Sequence, residues 1–209
     1  MKQVKGWWFG SINKRLGYGD GRKIIIGETH KVEGDIIPCE RGLHLSKNII
    51  DALQYAPGPV IYCVVGSGTI IPHGNPVDKY ACSERTYISG GIDISNILRK
   101  FARMCALDVI HLWDAPDVMI RYLKTGDESI RTATWAAARA ASWTATRSFS
   151  ASEVERDAAR AAAWAAGIEV ARDTARAAKW AFSARAAAWD KQNRRLTAMV
   201  KRALKDTRK

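Results

Sequence analysis

The pattern of apolar positions changes once along the chain, near Gly91. Before this point, short β-branched runs are separated by Gly, Pro and Asp, which is typical of strands and turns. After it, apolar residues recur about every 3.6 positions, beginning with Ile94, Ile97 and Leu98, which predicts helices. The sequence therefore predicts an α+β fold, in which a small, mostly antiparallel β-domain with short helices precedes an all-α, alanine-rich helical region.

This change of pattern divides the chain into three predicted segments. We expect residues 1–91 to form an α/β domain, residues 92–126 to form connecting helices, and residues 127–209 to form a helical region with a basic tail. The pair Gly90-Gly91 ends the first segment, because glycine pairs interrupt regular structure.

β-Branched runs and turn residues predict the strands of the first segment. Val60–Val65 has the composition of a central, buried strand. Ser46 is predicted to cap a short helix whose apolar residues begin at Ile49. Further strands are predicted at Lys23–Ile26, as one arm of a hairpin, and at Gly42–Leu45, Ile70–Ile71 and Tyr80–Ile88.

Polar cap residues predict where the later helices begin. Asp93 or Ser95 starts the first of them, and Asp114 caps the second, which ends at Gly126. Asp127 can cap a third helix. Ser152 and Glu155 form an S-x-x-E capping box, which marks one more start.

A repeated motif, Ala-Arg-Ala-Ala-x-Trp, occurs four times in the helical region. Each copy places Arg and Trp four residues apart, so that the two side chains are neighbours on a helix surface and can stack as a cation–π pair. Two interpretations stay open: the alanines and tryptophans pack a helical bundle, or the motif binds nucleic acid. The residues of the second interpretation are Arg139, Trp143, Arg160, Trp164, Arg176, Trp180, Arg185 and Trp189, with Arg194 and Arg195 of the basic tail.

The net charge of +12 supports an anionic partner, and its distribution favours the helical region. Residues 1–126 carry 16 basic and 12 acidic side chains, whereas residues 127–209 carry 17 basic and 9 acidic ones. The longest apolar run, Val60–Val65, is far shorter than a membrane span, and no apolar leader segment follows the first lysines. We therefore expect a cytoplasmic protein without a membrane partner.

The cysteines do not form a recognisable metal motif. Cys39, Cys63, Cys82 and Cys105 are scattered without a C-x-x-C pair, so we expect buried, reduced thiols and no metal. A zinc site built from Cys39, His44, Cys63 and Cys82 is the alternative, and it is disfavoured because structural zinc sites draw ligands in closely spaced pairs.

Three consecutive pieces of the first segment, Glu40–Ser46, Asp51–Ala56 and Val60–Gly66, together resemble the middle of an ADP-ribosyltransferase-type domain. The triplet His44-Leu45-Ser46 is most similar to that of the RNA 2'-phosphotransferases. The following helix and strand are equally similar to poly(ADP-ribose) polymerases. The resemblance implies a split antiparallel β-fold that holds NAD or a related nucleotide in a cleft, whereas the residues alone identify no cofactor.

The resemblance also implies a set of site residues. Phe9 stands where the family has a first-strand His, and for this reason we rank binding above catalysis. The implied catalytic residues are His44 and Ser46, with Asp78 or Glu84 as the positioning carboxylate. The implied ligand-binding residues are Arg41, His44, Ser46, Tyr55, Lys79 and Arg85.

The whole chain, a small G-L-H-x-S domain followed by an Ala/Trp/Arg-rich helical region, also resembles proteins of bacteriophages, which implies the cytoplasm of a host cell. Three functions stay open. The first is binding of a nucleotide or nucleic acid, either to sequester a host nucleotide signal or to act on host nucleic acid. The second is an NAD-dependent ADP-ribosyl- or phosphotransferase-like enzyme. The third is a structural protein that self-assembles into a homo-oligomer through its alanine-rich helices.

Overall fold

The structure is a computed structural model that describes residues 3–147, 152–167, 170–184 and 188–207, without the side chains of residues 141–147, 184 and 188. Within those residues the chain forms five strands and seven α-helices, which confirms the α+β class. The chain divides into two compact units: unit 1 is Met1–Ser95 with Leu196–Lys209, and unit 2 is Asn96–Arg195. This two-unit division does not test the three predicted segments, which remain a prediction.

Unit 1 contains an antiparallel sheet in the order β1-β4-β5-β2, with the short β3 also paired to β5. β2 and β3 lie along the same edge of β5, because β5 is long enough to pair with both. The strands are β1 (Val4–Gly10), β2 (Thr29–Lys31), β3 (Leu43–Leu45), β4 (Val60–His73) and β5 (Lys79–Asp93).

The predicted central strand is confirmed and is longer than expected. β4 pairs with β1 on one side and with β5 on the other, and its first residues, Val60 and Ile61, are fully buried. The strand expected at Ile70–Ile71 is the far end of β4. The register shifts after Ser67, where β4 carries an extra residue opposite β5.

The prediction that Ser46 caps the first helix is wrong. The helix α1, Ile49–Gln54, has Asn48 at its N-cap position. Ser46 instead pairs with β1, exchanging backbone hydrogen bonds of 2.8 and 3.0 Å with Trp7. Gly6 permits this close approach, because a Cβ atom there would collide with the carbonyl oxygen of Ser46.

The hairpin arm forms only in part. Arg15 lies opposite Lys23, and Leu16 and Ile24 are buried in the core of unit 1. The rest of the β-branched run forms no strand, which corrects the expectation at Lys23–Ile26. Ile25 and Ile26 are exposed, and no neighbouring strand offers them hydrogen-bond partners within the described residues.

The helices after β5 begin and end mostly at the predicted signals. Asp93 accepts a hydrogen bond from the Ser95 backbone at 2.8 Å, and the capping box of Ser152 and Glu155 is formed. Asp114 does not cap its helix, because Pro116 occupies the N-cap position. The helices are α2 (Ser95–Val109), α3 (Asp117–Thr125), α4 (Arg131–Arg147), α5 (Glu153–Ala165), α6 (Val170–Ala184) and α7 (Ala188–Asp206).

One core cluster of unit 2 is built largely from alanines, with Met119, Tyr122 and Leu123 of α3 as its larger fully buried side chains. Small side chains let helix axes approach closely, which explains the alanine-rich composition of α4, α5 and α6. Among the described helices, none combines the length and the apolar character needed to cross a bilayer.

Candidate functional site

The buried cations Lys79 and Arg85 lie on one face of β5. Successive side chains of a strand point to opposite faces, and the buried positions of β5 include Lys79, Ala81, Arg85 and Tyr87, which share a face. His44 lies directly opposite Ala81. The strand pairing therefore places an imidazole between a lysine and an arginine.

Arg85 is the most completely buried of these side chains, with 2% of its surface exposed. Its guanidinium donates to the backbone oxygen of His44 at 2.6 Å and to the hydroxyl of Tyr87 at 2.8 Å. It also lies 4.0 Å from the ring centre of Trp8. Nε of Arg85 has no hydrogen-bond partner, and no described carboxylate forms an ion pair with this side chain.

The rings of Trp8 and Tyr87 lie against the guanidinium, and Tyr62 and His30 pack against these two rings. We call the group of Trp8, His30, Tyr62, Arg85 and Tyr87 the arginine–aromatic cluster. The ring centres of Tyr62 and Tyr87 are 5.6 Å apart, and those of Trp8 and Tyr62 are 5.5 Å apart. Nδ1 of His30 lies 3.0 Å from the Tyr87 hydroxyl. The Tyr62 hydroxyl is buried without a partner, so the cluster holds two unsatisfied polar groups, this hydroxyl and the Arg85 Nε.

A second group of polar side chains, which we call the thiol–lysine cluster, lies at the start of β5. Its members are Cys39, His44, Tyr55, His73, Asp78 and Lys79. Lys79 donates to the Sγ atom of Cys39 at 3.1 Å and lies 3.9 Å from the ring centre of Tyr55. The Tyr55 hydroxyl donates to Asp78 at 2.6 Å.

His44 is neutral at pH 7. Burial, together with the positive charges of Lys79 and Arg85, lowers the pKa of this imidazole from 6.5 to about 4. The backbone N–H of Cys39 points at Nε2 of His44 from 3.4 Å, so Nε2 is the acceptor and the ring proton resides on Nδ1. A neutral imidazole between two cations can accept or donate a hydrogen bond without adding to the positive charge.

Most of the catalytic and binding residues predicted in unit 1 lie near these two clusters. His44, Tyr55, Asp78 and Lys79 come together in the thiol–lysine cluster, and Arg85 reaches it through the backbone of His44.

Three of the predicted residues lie elsewhere. Glu84 belongs to the opposite face of β5, where it pairs with Lys31 at 2.8 Å and accepts a hydrogen bond from Ser67. Ser46 is buried at its pairing with β1, and Arg41 is exposed on the loop before β3. The structure therefore separates Glu84 from His44.

Sequence reasoning named Cys39 only as a ligand of the disfavoured zinc site, and it did not select His73 or the aromatic members of the arginine–aromatic cluster. Trp8 and Tyr62 are directly paired across β1 and β4, and this pairing can be recognised only once the register is known. Phe9, which the resemblance to ADP-ribosyltransferases places opposite a first-strand His, is 1% exposed and belongs to the core. Cys39 lies on a loop whose sequence carries no motif.

In unit 2 the repeated Arg and Trp residues pair across helices. Arg160 of α5 stacks on Trp180 of α6 at 4.6 Å, and Arg176 of α6 stacks on Trp164 of α5 at 4.3 Å. In the second and third motif copies the expected pairing within a copy is thus replaced by a crossed arrangement. The packing of α5 against α6 brings each arginine to the tryptophan of the neighbouring helix.

Several of these arginines are also paired with carboxylates. Arg160 binds Asp157 at 3.1 Å, and Arg195 binds Asp108 at 2.7 Å. Arg139 stacks on Trp135, and Trp189 packs against Phe182. Arg139 and Arg194 are exposed, whereas Arg185 and the side chain of Trp143 lie outside the described residues.

The zinc alternative finds no support in the geometry. Within the described ranges, no three His, Cys, Asp or Glu side chains come close enough together to hold a metal ion.

Comparison with known proteins gives one match. Residues 14–100 are similar to the family described as a domain of unknown function, DUF7666. This range covers fewer than half of the 209 residues and includes β2 to β5, and with them the whole thiol–lysine cluster. No curated protein and no solved structure matches the chain.

The depressed pKa of His44 predicts how stability depends on pH. The imidazole has a pKa of 6.5 when unfolded and about 4 when folded, so its contribution to the free energy of unfolding is complete above pH 6.5 and is lost as the pH falls towards 4. We expect a loss of about 2 kcal/mol, because a tenfold change in proton affinity corresponds to about 1.4 kcal/mol and partial exposure reduces the effect. Urea unfolding of the wild type and His44→Gln at pH 7, 5.5 and 4 measures this loss, which should be smaller in the variant. Equal losses in both proteins would contradict the assignment.

The crossed Arg–Trp arrangement predicts which residues are energetically coupled. In double-mutant cycles with Arg160→Met, Trp180→Leu and Trp164→Leu, we expect a coupling of about 1 kcal/mol between Arg160 and Trp180. Arg160 and Trp164, four residues apart on α5, should show almost none. Chemical denaturation of the single and double variants gives both values, and a larger coupling to Trp164 would contradict the crossed arrangement.

Proposed function

We propose that unit 1 binds an anionic nucleotide on the face of the sheet that carries Lys79, His44 and Arg85. The observation that supports this proposal is that two buried cations lie on this face without a direct ion pair. Lys79 is 6% exposed and Arg85 is 2% exposed, and neither forms an ion pair with a described carboxylate. An anionic ligand would supply the missing negative charge.

Burial of these two charges is unfavourable in the protein as it stands. A charge removed from water costs several kcal/mol unless it is paired, and the acceptors present are a backbone oxygen, a phenol hydroxyl and a thiol. The planar guanidinium of Arg85 is suited to phosphate, because it can donate two parallel hydrogen bonds. Its unpaired Nε leaves one donor unused.

Aromatic side chains near the two cations suit the ring of a nucleotide. Tyr55 is 45% exposed, and Trp8 is partly exposed beside Arg85. An aromatic side chain with an accessible face can stack on a base or on a nicotinamide ring. This is the ligand class, NAD or an ADP-ribose-like nucleotide, that the resemblance to ADP-ribosyltransferases implies.

We rank binding above ADP-ribosyl or phosphoryl transfer for geometrical reasons. Phe9 lies in the core and brings no polar group to the site, and Glu84 is neutralised by Lys31 on the other face of β5. Asp78 is the carboxylate that the structure places in the thiol–lysine cluster, and its Oδ2 is held by Tyr55. The site is thus rich in groups that bind an anion and poor in groups that would position a reacting ribose.

Calorimetric titration of the full chain with NAD, ADP-ribose, ATP, cyclic nucleotides and inorganic phosphate tests this proposal. We expect at least one nucleotide to bind and to be recovered unchanged by chromatography. Lys79→Met should weaken binding at least about tenfold, because a charge-assisted hydrogen bond contributes about 1.5–3 kcal/mol. Release of nicotinamide from NAD would instead favour transfer.

The matched control for Lys79 is Lys47. This lysine is exposed and lies over the ring of Tyr80, 5.1 Å from its centre, and Tyr80 belongs to the opposite face of β5. Lys47→Met removes the same charge and should leave affinity unchanged. Absence of binding to every compound, or an equal effect of the two substitutions, would contradict the proposal.

A second candidate is nucleic-acid binding by α7. Arg194, Lys201 and Lys205 are exposed, and at 100° per residue they share one side of this helix. A row of cations along a helix can follow a phosphate backbone.

Binding of a single-stranded RNA, followed by fluorescence anisotropy across a range of salt concentrations, tests the second candidate. We expect the triple substitution of Arg194, Lys201 and Lys205 by Gln to weaken binding and to lower the salt slope by about two, since about 0.7 counterions are released per phosphate contact. The same substitution of the exposed residues Lys100, Arg121 and Lys124 is the control. Equal effects of the two triple variants would contradict a role for α7.

A further inference from the structure

Cys39 differs from the other cysteines in its surroundings. It is exposed on the loop before β3, whereas Cys82 and Cys105 are buried and Cys63 is partly buried. Burial raises the pKa of the Cys82 thiol to about 11 and raises that of Cys105 as well. Cys39 is thus the most exposed of these four thiols, which corrects the expectation that all of them are buried.

The Sγ atom of Cys39 faces two nitrogen atoms from other parts of the chain. Nζ of Lys79 lies 3.1 Å away, and Nε2 of His73 lies 3.8 Å away. Both come from the end of the β4–β5 hairpin, which is where the loop before β3 meets β5. The thiol therefore belongs to a cluster of titratable groups and is not an isolated surface cysteine.

The side chain of Lys79 is buried beside the sulfur of Cys39. Its other close neighbour is the ring of Tyr55, whose hydroxyl is bound to Asp78. With only 6% of its surface exposed and no ion pair to a described carboxylate, the ammonium has the sulfur as its hydrogen-bond acceptor. A sulfur that accepts a hydrogen bond from an ammonium group is in the surroundings that favour nucleophilic attack.

We propose that Cys39 is a site of thiol–disulfide exchange with anionic low-molecular-weight disulfides, and that Lys79 positions and activates its sulfur. The thiolate of Cys39 attacks one sulfur of the disulfide R–S–S–R, and a Cys39–S–S–R bond forms as the S–S bond of the reagent breaks. The leaving group, RS⁻, takes a proton from water. Cys39 is oxidised, one equivalent of the reagent is reduced to thiol, and no further oxidant is needed.

The charge of Lys79 selects the reagent. An ammonium group beside the reacting sulfur attracts a disulfide that carries carboxylates and repels one that carries amines. The proposal does not depend on nucleotide binding, because the exchange is measured without any nucleotide.

The experiment follows exchange of the reduced full chain at pH 7 with oxidised glutathione, which is anionic, and with cystamine, which is cationic. Peptide mass spectrometry assigns the modified cysteine, with Cys63 as the internal reference and Cys39→Ser as the blank. We expect Cys39 to react faster than Cys63. We also expect the ratio of its rate with oxidised glutathione to its rate with cystamine to be higher than the same ratio for a free cysteine peptide.

Two substitutions at Lys79 isolate its role. Lys79→Met should slow the reaction of Cys39 with oxidised glutathione about tenfold, the size expected for loss of a charge-assisted hydrogen bond. Lys79→Arg, which keeps the charge, should retain most of the rate, and Lys47→Met should leave it unchanged. Circular dichroism confirms that each variant is folded.

The outcomes are decisive in either direction. A Cys39 that reacts no faster than Cys63 would overturn the proposal, and so would an unchanged rate in Lys79→Met. Loss of the rate in both Lys79→Met and Lys79→Arg, with both variants folded, would overturn the role of the charge. Failure of nucleotide binding, measured separately by calorimetry, would leave these rates as they are.

Discussion

The buried guanidinium of Arg85 connects the strands of unit 1 on one side of the sheet. It donates to the backbone of His44 on β3, lies over Trp8 of β1 and bonds to Tyr87 on its own strand. A planar cation can stack on an indole while it donates hydrogen bonds within its plane. Because no described carboxylate forms an ion pair with it, the surrounding strands must stay in place to supply these contacts, and movement of any one of them would leave a buried donor unpaired.

The alternation of side chains along β5 separates opposite charges. Lys79 and Arg85 belong to one face, and His44 between them stays neutral because both cations and burial depress its pKa. Glu84 belongs to the other face and is neutralised there by Lys31. The result is a positively charged face on which no described carboxylate forms an ion pair with Lys79 or Arg85. The same arrangement supports both proposals, since an anionic nucleotide would offset the charge and the sulfur beside Lys79 already accepts its hydrogen bond.

Local signals in the sequence predicted the elements that depend on a few neighbouring residues. The capping box at Ser152, the helix end at Gly126 and the buried strand beginning at Val60 were all predicted in this way. The wrong predictions arise where a distant partner competes for the same groups. Serine is a common helix N-cap residue, yet the backbone of Ser46 pairs with that of Trp7, which is distant in sequence.

The sequence by itself determined the α+β class and the position at which the pattern changes from strands to helices, whereas the structure begins β5 at Lys79, one residue before the predicted start, and so places Lys79 and Arg85 on one face of the strand. The tertiary structure decided which groups meet across that face. Cys39 and Lys79 are 40 residues apart, and only the register of β3 against β5 brings the sulfur to the ammonium. Likewise, Arg160 could reach a tryptophan on its own helix, but the packing of α5 on α6 gives it Trp180. Both contacts depend on pairings between distant segments, which the order of residues along the chain does not specify.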